Sequence, residues 1–220
     1  MPKVGVVLSG CGVMDGSEIH ESVAALLALD RAGADAVCMA PEMDQMHVVN
    51  HATGDVSGET RNVRIESARI ARGRVLDVAD VSAQSLDALI FPGGFGAAKN
   101  LCDFAVRGAA CEVQTDVARL VREMHAAGKP IGAICISPAL VARVLGKTAP
   151  GLELTIGTDP TTARALEEMG ARHVPKEAGG IHVDRKNKVV STPAYMLAKG
   201  IGEAASGIEK LVAEVLKLAR

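Results

Sequence analysis

Hydrophobic positions alternate along the chain between short unbroken runs and longer stripes at helical spacing. Val4-Gly5-Val6-Val7-Leu8, Ala34 to Ala40, Asp87 to Phe91 and Ile131 to Ile134 are runs of strand length. The first three stop at Ser9-Gly10, Pro41 and Pro92-Gly93, residues that break a ladder. Between them the pattern predicts helices over 17–32, Asn62 to Arg72, Glu112 to Ala127, Pro138 to Leu145, Pro160 to Met169 and 201–218. Asp15 or Ser17 is the expected cap of the first, which sets Ile19, Val23, Leu26 and Leu27 on one stripe and stops at Gly33. Glu153 to Ile156 reads as a strand. Ile181-His182-Val183 and Lys188-Val189-Val190 flank Asp184-Arg185-Lys186-Asn187 as a hairpin, and the stretch around His51-Ala52-Thr53-Gly54 reads as irregular.

Strands that alternate with helices imply right-handed crossovers and a mainly parallel sheet, covered on both faces. No linker, repeat or low-complexity tract interrupts the pattern, so residues 1–220 read as one α/β sandwich domain with a small β-hairpin. Sites in such sheets lie at the carboxyl ends of the strands. That directs attention to the loops after Leu8, Phe91 and Ile134.

Composition removes several partner classes. Hydrophobic residues make up 48% and charged residues 23%, the balance of a folded globular chain. With no Trp, one Tyr and three Phe, the core has to be aliphatic. A net charge of −2 and so few aromatics leave neither a phosphate-neutralising face nor a base-stacking platform, so nucleic acid is not expected as a partner. The longest uncharged stretch, Pro130 to Ala142, carries Ser137 and Pro138 and falls short of the ~20 apolar residues of a spanning helix. No membrane partner is expected. Cysteines at 11, 38, 102, 111 and 135 form no CxxC pair, which argues against a zinc or other metal site and against a disulfide framework. Free thiols without a signal-peptide layout lead us to expect a reducing, cytoplasmic setting.

Three glycine loops invite a nucleotide reading and none completes one. Gly10-Cys11-Gly12 and Gly94-Phe95-Gly96 follow strands, but Asp15 and Lys99 stand at the sixth positions of a dinucleotide fingerprint. Gly146-Lys147-Thr148 has Val141 where a phosphate loop needs glycine. No cofactor is expected. The glycines serve tight turns, or Gly93 and Gly94 present free N–H groups to an oxyanion.

Cys135 carries the sharpest chemical signal. It closes a strand and precedes a helix whose start is marked by Ser137 and Pro138. A nucleophile on a strand-to-helix elbow needs small neighbours two residues before and after, and Ala133 and Ser137 meet that need. The helix N-terminus would favour thiolate, giving Cys135 the lowest thiol pKa of the five. The other reading is a buried structural cysteine. The six His residues (20, 47, 51, 125, 173, 182) are scattered, with none beside Cys135 in sequence. Glu21 lies about 200° around its helix from Ile19 and shares a side with Ala24, Ala25 and Ala28, which would bury it against the sheet. It also reads as an acidic first-turn residue complementing the dipole. Cys11, in another carboxyl-end loop, is a candidate second thiol in the cleft, and Thr192 a candidate lining residue.

The combination of Pro92-Gly93-Gly94-Phe95-Gly96-Ala97-Ala98-Lys99-Asn100 after one strand and Ala133-Ile134-Cys135-Ile136-Ser137-Pro138 after another resembles the PfpI branch of the class I glutamine amidotransferase-like superfamily. The strings Leu8 to Val13, Asp15 to Glu21, Glu59 to Val63, Leu154 to Asp159 and Thr192 to Leu197 resemble the ElbB (enhancing lycopene biosynthesis) subfamily. The resemblance implies a flavodoxin-like three-layer sandwich, a nucleophile at Cys135 with Glu21 as its carboxylate partner, and an oxyanion site from the N–H groups of Gly94 and Ile136. It implies glutathione-independent glyoxalase chemistry on small 2-oxoaldehydes, glyoxal and methylglyoxal, and homodimers are common in the superfamily. The superfamily's hydrolases carry a His in the region that here reads Thr155-Ile156-Gly157-Thr158, and this chain has Gly157 there. Peptide or amide hydrolysis is therefore not expected. The alternative is a redox-sensing or interaction protein that uses the same cysteine.

Overall fold

The computed structural model describes residues 1–220. Five strands build most of a parallel sheet: β1 (Lys3–Val7), β2 (Asp35–Ala40), β6 (Ala88–Phe91), β7 (Ile131–Ile134) and β11 (Val189–Thr192). Two short pieces extend its edges, β5 (Leu76–Asp77) and β10 (His182–Asp184). The order is β10-β11-β7-β6-β1-β2-β5, parallel throughout except for the β10/β11 hairpin. Two-residue strands β3 (Val48–Val49) and β4 (Val56–Ser57) pair as a separate antiparallel ribbon. A second ribbon pairs β8 (Glu153–Leu154) with β9 (Arg172–His173).

Both faces of the sheet are buried, which is why its strands read as unbroken apolar runs. Successive side chains go to opposite cores: Val4, Val6, Ala88 and Ile90 to one, Val7, Leu89 and Phe91 to the other. The first core is closed by α1 (Ile19–Arg31), α2 (Val63–Ile70) and α8 (Ile201–Leu218). The second is closed by α5 (Thr115–Ala126), α6 (Pro138–Leu145) and α7 (Pro160–Glu168), with short helices α3 (Phe95–Lys99) and α4 (Phe104–Arg107) alongside. This is the flavodoxin-like α/β sandwich. No helix is long and apolar enough to cross a membrane.

The structure corrects several details. The first helix is capped by Glu18, whose Oε2 accepts from the Glu21 N–H at 2.6 Å. Ser17 and Asp15 are committed elsewhere: the Ser17 hydroxyl accepts from the Ser9 N–H, and Asp15 accepts from the Val49 N–H. The α1 stripe of Ile19, Val23 and Leu27 faces solvent, while Glu21, Ser22, Ala25 and Leu29 face the sheet. α5 starts at Thr115 rather than Glu112, because the Gln114 side chain caps Val117 and Cys102 pairs with Val113 across an isolated bridge. The strand expected at Glu153 to Ile156 is only two residues long and lies outside the main sheet.

Candidate active site

The chain turns from β7 into α6 at Cys135, which takes φ +61°, a left-handed conformation rare for a residue with a side chain. Strain of this kind persists only where surrounding contacts enforce it. The Cys135 N–H donates to the Thr192 carbonyl at 2.9 Å, and the Ser137 N–H donates back to the Ile134 carbonyl at 3.0 Å. Ser137 stands at the helix start but makes no side-chain cap. Its hydroxyl donates to the Pro92 carbonyl at 2.7 Å, which ties the elbow to the glycine loop after β6. Pro138 fills the first helical position, where its missing N–H costs nothing.

That tie brings the two loops together at the sulfur. The N–H groups of Gly94 and Ile136 lie beside Cys135 Sγ and favour its thiolate. Gly93 approaches so closely that a Cβ there would lie 2.4 Å from Cys135 Cβ and 2.7 Å from Glu21 Oε2. Only glycine fits. The Gly93 N–H is not free for an oxyanion, contrary to the expectation from sequence, since it donates to Glu21 Oε2 at 2.9 Å.

Glu21 is fully buried, on the small apolar side of α1 that faces the sheet. A buried carboxylate needs hydrogen bonds to be tolerated. Oε2 receives the Gly93 N–H, Oε1 receives the Tyr195 N–H at 3.2 Å, and the Cys135 side chain lies beside the carboxyl. Burial pushes its pKa up to about 7 against these bonds, which pull the other way. The Cys135 thiol is pushed up as well, by burial and by the charge of Glu21, despite the two N–H donors. This overturns the expectation of a depressed thiol: the helix N-terminus is outweighed by desolvation and a neighbouring anion.

The sulfur opens into a cavity of about 400 Å³. Its walls are Val13, Phe95, Ala98, Phe104, Ala105, Ile136 and Met196, with Glu18, Gly94 and Tyr195 supplying polar groups. The Tyr195 hydroxyl reaches His20 Nδ1 at 2.8 Å. Cys11 and Thr192 do not line this cavity. Cys11 is half-buried near Glu66, Arg69 and Asp15. Thr192 Oγ1 turns away to donate to the Gly180 carbonyl, against Gly207 of α8. A larger hollow of about 590 Å³ lies at the opposite, amino end of β6 and β7, around Ala83, Glu123 and Lys129. It holds no cysteine, and the Lys129 ammonium is spent on the Ala83 and Leu86 carbonyls. No three His, Cys, Asp or Glu side chains converge to hold a metal.

Gly157 explains the missing histidine. It sits at φ +98°, and a Cβ there would lie 2.8 Å from Leu197 Cδ1 and Cγ. A histidine at 157 would need both an unfavourable backbone and room that Leu197 occupies. Tyr195, the single tyrosine of the chain, was not singled out by sequence reasoning. Its signal lay in the string Thr192 to Leu197, which the structure places as a 3-10 turn, Ala194–Met196, running past Glu21.

The chain is 50% identical over 226 residues to human "Glutamine amidotransferase-like class 1 domain-containing protein 3, mitochondrial", covering 98% of this chain and 83% of that protein. It is 48% identical to the rat "ES1 protein homolog, mitochondrial", covering 98% and 84%. Both names place those relatives in mitochondria and lend the expected cytoplasmic setting no support. A crystal structure of an isoprenoid biosynthesis protein with an amidotransferase-like domain, from Ehrlichia chaffeensis, superposes with a TM-score of 0.90 at 37% identity, covering 98% of this chain and 99% of that one. Drosophila melanogaster DJ-1beta shares the fold at a TM-score of 0.57 and 19% identity, covering 99% and 95%. Residues 11–193 match the DJ-1/PfpI family as a whole. A cysteine elbow, its glycine loop and a class I glutamine amidotransferase-like sandwich thus coincide with sequence similarity along nearly the whole chain, and the protein belongs to the DJ-1/PfpI family.

Proposed function

We propose that the protein is a glutathione-independent glyoxalase that converts 2-oxoaldehydes to 2-hydroxy acids. The observation that carries this reading is the closed cluster of Cys135 Sγ, the Glu21 carboxyl and the Gly94 and Ile136 N–H groups, assembled without a histidine. Cys135 adds to the aldehyde carbon while its proton passes through Glu21 to the aldehyde oxygen, which the two N–H groups stabilise as charge develops on it, and Glu21 is left as the carboxylate. Glu21 then moves the C1 proton to C2 through an enediol, leaving a 2-hydroxy thioester on Cys135. One water from solvent cleaves the thioester, and the thiol regains its proton. A carboxyl with pKa about 7 suits both the taking and the giving of that proton. The Ehrlichia relative's name supports placing the chain in the ElbB subfamily, with a link to isoprenoid metabolism.

The competing reading, a redox-sensing thiol, needs an accessible thiolate. Cys135 is 8% exposed and its thiol is pushed up, which favours the enzyme. Lactate and glycolate release from methylglyoxal and glyoxal, measured for wild type and Cys135→Ser, tests the choice. Product from the wild type alone supports the glyoxalase. No product, with Cys135 oxidised readily by dilute peroxide, supports the sensor.

A further inference from the structure

The cavity in front of Cys135 is poorly matched to a two- or three-carbon substrate. Its volume of about 400 Å³ equals roughly 13 water molecules at ~30 Å³ each, several times what methylglyoxal displaces. Its polar groups are few, on Cys135, Glu18, Tyr195 and the Gly94 backbone, while Phe95, Ala98, Phe104 and Met196 present only carbon or sulfur side chains. No Arg, Lys or His is among the lining residues, so a phosphate or carboxylate on the substrate would find no partner there. The nearby Lys99 ammonium is engaged outside, 5.1 Å over the Phe95 ring centroid and 3.2 Å from the Met14 carbonyl. Glu18 inside the cavity and Glu21 beside it repel anions further.

Resting on the glyoxalase reading, we propose that the substrate is a neutral 2-oxoaldehyde bearing a bulky apolar group, aryl or branched alkyl. The dicarbonyl end meets Cys135, and the apolar end covers Phe95, Ala98, Phe104 and Met196. Each apolar carbon placed there leaves water for a surface that a small substrate would leave wet. Transition-state binding gained this way raises kcat/KM.

The test compares phenylglyoxal with methylglyoxal, following mandelate and lactate over the first turnovers, before the dicarbonyls modify surface arginines. Each rate is divided by that of the same aldehyde with a free thiol, which removes intrinsic electrophilicity. The expected normalised kcat/KM ratio favours phenylglyoxal by roughly tenfold or more. Ala98→Phe, which fills the cavity, should collapse that ratio, and so should Phe95→Ala, which strips one wall. Because Ala98 is buried and Phe95 is exposed, Phe95→Ala carries the test if Ala98→Phe fails to fold. Methylglyoxal turned over as well as phenylglyoxal would overturn the substrate class and leave the glyoxalase intact. No hydroxy acid from either aldehyde would overturn both.

Discussion

The carboxyl of Glu21 and the thiol of Cys135, one from the first helix and the other from the end of β7, meet in a buried setting against Gly93, where a Cβ would lie 2.7 Å from Glu21 Oε2 and 3.0 Å from Cys135 Sγ. Glu21 raises the thiol's affinity for its proton, whereas the thiol lowers that of the carboxyl, whose own rise comes from burial. Glu21→Gln keeps the shape of the pair and removes the proton carrier, so kcat on a 2-oxoaldehyde should fall by about 10²–10⁴-fold. Wild-type kcat/KM should rise with pH through about 7 as Glu21 ionises, and the variant should lose that limb. Wild-type turnover in Glu21→Gln would remove Glu21 from the chemistry.

The same shift makes a stability prediction. Folded Glu21 titrates at about 7 instead of its ordinary 4.5, so between these values the folded state binds the proton and the unfolded state does not. Its contribution is therefore most favourable below pH 4.5, declines as pH rises to about 7, and is flat above. A shift of 7 − 4.5 = 2.5 units corresponds to on the order of 3 kcal/mol. Urea unfolding of wild type and Glu21→Gln at pH 4 and pH 8 should show the variant gaining relative stability at pH 8. A difference that does not change with pH would contradict the raised pKa.

Gly93→Ala forces a methyl against Cys135 Cβ and Glu21 Oε2. Overpacking of this kind costs about 1–3 kcal/mol and displaces both reacting groups. We expect a lower Tm together with loss of turnover. Gly58→Ala, at a glycine with nothing within 4 Å of its new Cβ, should leave both unchanged and serves as the control.

Iodoacetamide should label two thiols of the folded protein. Cys11 is half-buried and Cys135 opens into the cavity, whereas Cys38, Cys102 and Cys111 are buried away from it. Because burial and Glu21 push the Cys135 thiol up, its labelling rate should keep rising beyond pH 8 instead of levelling near neutrality. Peptide mass mapping across pH reads both outcomes, and a rate at Cys135 that is flat above pH 7 would show a depressed thiol.

Much of the site was legible because it follows from local backbone rules. A strand, a small-residue turn and Ser137-Pro138 announce the elbow, and Cys135 takes the positive φ this requires. Glu21 was readable from its neighbours, since Ala24, Ala25 and Ala28 leave the side of α1 that can approach a sheet. What stayed hidden depends on contacts between distant segments. Ile19, Val23 and Leu27 form an apolar stripe by spacing, yet Leu29, Ala25 and the hydrogen-bonded Glu21 and Ser22 take the inner face. β5 is two residues long at the sheet edge, too short to carry a periodicity. Tyr195 and Phe104 reach the cavity from a 3-10 turn and a four-residue helix, where no repeating pattern exists to read. The thiol pKa was misjudged because the helix N-terminus is visible in sequence, whereas desolvation is a property of the assembled fold.

Gly157 bears on how this chain can change. A single substitution to histidine would place a bulky side chain at a left-handed backbone and against Leu197, so the variant would be strained before it could gain a hydrolytic group. Leu197→Ala alone would open a gap with no catalytic return. The route from this site to a cysteine–histidine hydrolase thus passes through two individually unrewarded changes. Drift at either position keeps the protein within histidine-free chemistry, and laboratory evolution toward amide hydrolysis would have to start from the double substitution.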